Sequence, residues 1–180
     1  MEIHTETINR FCNQHRILTH YIEDLPAQAF HIRSIPEKRS IHETIAYLCR
    51  YQYIFMHRLK TICCEINPFF NAYDPESDSE YQFTAARTTG ALLHEIHRVR
   101  DEMKLMLKNL VPAECSRVGT HAVLGRMNVC QWLEFFLLHE SHQFYKIFKL
   151  AGSFWSNSSI HHGNIISMPI AGTQIDEMAG

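Results

Sequence analysis

A chain of 180 residues has room for one well-filled core, and its 46% hydrophobic and 20% charged residues suit a folded globular domain. Seventeen basic residues nearly balance nineteen acidic ones, and no basic stripe is interleaved with aromatics, which excludes a dedicated nucleic-acid surface. The most apolar stretch, Trp132 to Leu138, is far too short to span a bilayer, so no membrane partner is expected.

The chain opens MEIHTETINRF, with acids and no apolar run, so no secretory signal is expected there. A first helix is predicted from about Thr7 to Asp24, where Ile8, Phe11, Cys12, His15, Leu18 and Ile22 form a stripe that ends on Leu25. Pro26 and Pro36 bound the loop that follows. Ser40-x-x-Glu43 is a capping box and starts the second helix, in which Ile41, Ile45, Leu48, Phe55, Leu59 and Ile62 repeat at helical steps to about Cys64. The stretch NPFFNAYDPESDSE, with two prolines and four acids, reads as a loop. A third helix is predicted from Thr88 to Leu110, stopped by Val111-Pro112, with Leu92, Leu93, Ile96, Val99, Met103, Met106, Leu107 and Leu110 inward. After the connection ECSRVGTHAVLGRM, a fourth helix starts near Asn128, an N-cap with Gln131 three residues on, and is expected to stop at Gly152. No strand pattern competes. The expected fold is an all-α four-helix bundle over residues 1–152, with long connections, followed by an irregular tail over 153–180.

None of the six cysteines forms a C-x-x-C pair, and most lie in apolar helical patterns, so they read as reduced thiols of a cytoplasmic protein. Of the thirteen histidines, most are scattered and read as surface or capping groups, His42 and His57 among them. His161 and His162 fall in the tail and are expected to be solvated.

Several motifs together resemble the DinB/YfiT-like superfamily. They are SIHETIAYL in the second helix, PFFNAYD after it, Arg117-x-Gly119-x-His121-x-x-x-Gly125 in the third connection, and WLEFFLLHESHQFYKI in the fourth helix. The resemblance covers roughly Thr7 to Leu150. It implies an up-down-down-up bundle, often dimeric, that in many members holds zinc or nickel on three histidines, one from the second helix and two from the fourth. Family activities include metal-dependent hydrolases and thiol-dependent transferases.

Carried onto this chain, those three positions fall on Tyr47, His139 and Gln143, so one imidazole of three is kept. A glutamine carbonyl and a protonated phenol are weak donors for a borderline metal, and the site reads as degraded, with no metal or a weakly bound one. An alternative set exists: His142 shares a helix face with His139, and Glu43 lies one turn before Tyr47. His121 is expected to stabilise its loop or cover the pocket. Two functions stay open, a non-catalytic relative that binds a small molecule or dimerises, and a metal-dependent hydrolase or thiol transferase acting between the helices. No catalytic residue is assigned by motif.

Overall fold

The computed structural model describes residues 2–36 and 38–161, with side chains as far as Trp155. Helix α1 (Thr5–Asn13) is broken from α2 (Ile17–Ile22) by a 3-10 turn, so the first predicted helix is real but interrupted. The long helices α3 (Ile41–Cys64), α5 (Thr89–Lys108) and α7 (Val129–His161) complete the bundle, with α4 (Ser79–Ala85) and the single turn α6 (Pro112–Cys115) in the connections.

The helix starts follow local chemistry. At α3, the Ser40 hydroxyl accepts from the Glu43 N–H (3.2 Å) and the Glu43 carboxylate accepts from the Ser40 N–H (2.8 Å), as the capping box requires. At α7, Asn128 and Gln131 exchange the same pair of bonds, each 3.0 Å. Thr88 caps α5.

Helix direction is legible from the core, which divides into two apolar clusters. One holds Phe11, Phe55, Leu59, Met103, Trp132 and Phe136. The other holds Leu18, Ile22, Ile41, Ile45, Leu92 and Ile147. Along α1–α2 and along α7 the chain passes from the first cluster to the second; along α3 and α5 it passes from the second to the first. The order is therefore up-down-down-up. Because α3 and α5 run the same way, the connection between them must travel the length of the bundle, which explains its 24 residues from Glu65 to Thr88.

Three features differ from the sequence reading. Two of the predicted loops contribute a small sheet of order β1-β2-β3, in which β1 (Phe69–Phe70) pairs parallel with β2 (Val118–His121), and β2 pairs antiparallel with β3 (Gly125–Asn128). The strands are too short to show an alternating pattern, and they exist because two distant connections meet at one end of the bundle. Second, α4 lies within the connection after Cys64, capped by Asp78. Third, α7 runs through Gly152 to His161. One helical glycine costs only about 1 kcal/mol; beyond it Phe154 and Trp155 pack on the second cluster, Trp155 edge-on to Phe148 at 5.4 Å. Residues 162–180, including His162, lie outside the described residues, as does Glu37. Among the described residues no helix is long and apolar enough to cross a membrane.

Candidate functional site

Tyr47 sits one turn after Glu43 on α3, and His139 lies a third of the way along α7. The bundle brings them together: the Tyr47 hydroxyl lies 3.1 Å from His139 Nε2. Burial, the dominant cause, lowers the His139 pKa to about 4, with Lys146, His142, Arg58 and Arg39 adding repulsion. Burial likewise raises Tyr47 to about 12. Near neutrality both groups are uncharged, so the bond joins a neutral phenol to a neutral imidazole. The imidazole is stacked on Tyr51 at 4.3 Å between ring centroids, and Tyr73 closes on Tyr47 at 5.5 Å. The Arg39 guanidinium covers the outer face of Tyr47 at 4.4 Å.

Gln143 follows His139 by one helical turn and is buried. Its carbonyl oxygen accepts from Lys146 Nζ at 3.4 Å, and it lines a cavity of about 680 Å³. The other proposed ligands are not assembled. Glu43 is committed to the Ser40 N–H and to the Arg33 guanidinium, whose Nε donates at 2.9 Å. His142 is exposed. Among the described residues, no three His, Cys, Asp or Glu side chains are grouped closely enough to hold a metal ion.

The donor set at Tyr47, His139 and Gln143 does not fit a divalent metal. One imidazole is present and its Nε2 is engaged; the phenol is held protonated by burial; the third group is an amide.

His121 takes the role expected of it in the loop. Its Nδ1 accepts from the backbone N–H groups of Val123 (3.2 Å) and Leu124 (3.3 Å), and its ring covers Phe135 and Trp132. Arg117 donates to the carbonyls of Ile62 (2.8 Å) and Glu65 (2.6 Å), satisfying the end of α3. Gly119 is required by close approach: an added Cβ would lie 2.8 Å from Ile62 Cγ1. Gly125 has φ +76°, which closes the β2–β3 turn.

His42 departs from its reading as a surface group. It is buried, hydrogen-bonded to Thr89 Oγ1 (2.8 Å) and the Ala85 carbonyl (2.9 Å), because the α4–α5 junction folds over that face of α3. His57 is exposed, as expected.

The largest departure is a buried polar network. Arg100 on α5, fully buried, is paired with Glu140 on α7 and donates to Gln52 Oε1 (3.2 Å) and the Phe11 carbonyl (2.8 Å). Gln52 and Gln14 donate in turn to Glu140, at 3.1 and 3.0 Å. Its members stand on the first helical unit, α3, α5 and α7, where each crosses from one apolar cluster to the other. The signal was present: Arg100 is four residues after Ile96 on the inward stripe, and Glu140 follows an apolar run.

The fold and this site define a class, an up-down-down-up helical bundle with a polar inter-helix site formed by its second and fourth long segments. Residues 11–144 match the DinB superfamily, and the chain belongs to that superfamily. A solved structure with the same fold is YfiT from Bacillus subtilis, described as "a probable metal-dependent hydrolase with an unusual four-helix bundle topology". The two align with a TM-score of 0.72 and 15% identity over 83% of this chain and 86% of that one. No curated protein sequence matches the chain.

Proposed function

We propose that this chain is a DinB-superfamily protein whose ancestral metal position has become a polar anchor in a small-molecule pocket, and that it binds a ligand without metal chemistry. The Tyr47–His139 hydrogen bond carries the reading: it engages the imidazole Nε2 with a phenol, at the position where the resemblance puts a metal ligand. The cavity beside Gln143 is lined by neither Tyr47 nor His139, but it is walled by Arg39, which covers the Tyr47 ring, and by Gln143, one turn after His139, and it gives a ligand space there. All six cysteines are free, which supports a reducing, cytoplasmic setting. The family resemblance supports a homodimer.

Elemental analysis tests the proposal. Wild type and the double variant Tyr47→His with Gln143→His are exposed equally to zinc or nickel and desalted. We expect no stoichiometric metal in the wild type and close to one equivalent in the double variant, where three nitrogen donors are restored. One equivalent in the wild type would sink the proposal and favour a metal-dependent hydrolase. No metal in the double variant would show that the two positions no longer hold the ancestral geometry.

A further inference from the structure

The cavity of about 680 Å³ beside Gln143 is lined by Arg33, Lys38, Arg39, Lys146, Lys149 and Glu76. Five cations therefore face one carboxylate, in a chain whose formal net charge is −2. The composition does not account for this; the fold gathers it, by setting the segment before α3 against the middle third of α7.

The internal pairing leaves the surplus in place. Glu43 neutralises Arg33. Arg39 lies over the Tyr47 ring and feels the carboxylate of Asp74. Lys38, Lys146 and Lys149 make no ion pair among the described residues: Lys146 reaches the Gln143 amide and Lys149 lies 5.6 Å from the Tyr145 ring. Like charges gathered in a partly enclosed cavity raise the local potential and draw in a counter-ion. The inner wall supplies what a bound anion needs beyond charge, namely the buried Gln143 amide and the fixed Arg39 guanidinium.

We propose that this cavity binds a small polyanion carrying phosphate or carboxylate groups, with Arg39 and Lys146 as its principal contacts and Lys38 and Lys149 at the rim. This deepens the ligand-binding reading above and rests on it, but it does not depend on whether the protein carries a metal.

Isothermal titration with inorganic pyrophosphate and with citrate, on the full chain stripped of metal by a chelating resin and with no soluble chelator present, tests it. We expect saturable 1:1 binding of at least one probe, weakened about tenfold or more by Lys146→Gln or Arg39→Gln. Lys149→Gln, an exposed change with little risk to folding, should weaken it several-fold. Lys104→Gln, beside Asp101 and lining a different cavity, should leave it unchanged. Binding of pyrophosphate alone would assign a phosphoryl ligand, and of citrate alone a carboxylate ligand. No binding of either probe overturns the proposal, as does binding that all three cavity variants leave intact, or that Lys104→Gln weakens as much as Lys146→Gln. Metal content measured on the same preparation separates the two readings. One equivalent of metal before chelation, with anion binding intact after it, would defeat the metal-free reading and leave this one standing.

Discussion

The Arg100–Glu140 pair should behave as one unit whose halves cannot be removed separately. Replacing Glu140 with leucine leaves a guanidinium that is 0% exposed, held only by Gln52 and the Phe11 carbonyl. Breaking a buried pair from one side costs about 3–5 kcal/mol, because the remaining charge stays desolvated. Arg100→Met should cost as much, since it leaves Glu140 with only the amides of Gln52 and Gln14. The double variant removes both charges but takes their partners from the Gln52 amide and the Phe11 carbonyl, at roughly 1–3 kcal/mol each where water cannot reach them, while Gln14 keeps the Leu137 carbonyl. We therefore expect it to be about as stable as either single variant, where additivity would predict a loss of about 6–10 kcal/mol. Urea titrations of all four proteins, followed by far-UV circular dichroism, give the coupling energy. A coupling of about 3 kcal/mol or more is expected from these magnitudes. Additivity to within about 0.5 kcal/mol would refute the reasoning and mean that water reaches the network.

Stability should also fall on mild acidification. Burial lowers His15 to about 3, and its Nδ1 has no partner among the described residues. A histidine whose folded pKa is depressed below 6.5 contributes stability that is complete above 6.5 and is lost as pH falls toward the folded value. Between pH 6.5 and 5 the loss should be on the order of 1–2 kcal/mol for each such histidine. His139 acts in the same sense, and His15→Leu should flatten the slope; an unchanged slope would mean that His15 is hydrated. Two glycines should respond oppositely to alanine. Gly119→Ala meets Ile62 at 2.8 Å and Phe70 at 3.0 Å and should cost about 1–3 kcal/mol, whereas Gly90, in α5 with nothing within 4 Å of an added Cβ, should gain about 0.5–1 kcal/mol. Thermal melts compare the two, and equal signs would contradict the geometry.

Local chemistry made most of the bundle legible. The boundaries of α3 and the start of α7 depend on bonds between residues three apart, Ser40 with Glu43 and Asn128 with Gln131, and such bonds are written directly in the order of residues. The inward stripes follow from the period of the helix, and the motifs around Tyr47, His139 and Gln143 carried the family. Tertiary structure decided the rest. Strand β1 has two residues and exists only because β2, some fifty positions later, is delivered to its edge. His42 is buried by a short helix whose presence its own neighbourhood does not announce. Arg100 and Glu140 each look like a solvated charge until four segments cross at one level and remove the water between them. The cationic cavity is a matter of the same kind: its residues are spread from Arg33 to Lys149, and only folding brings their charges close enough for the field of one to reach the next.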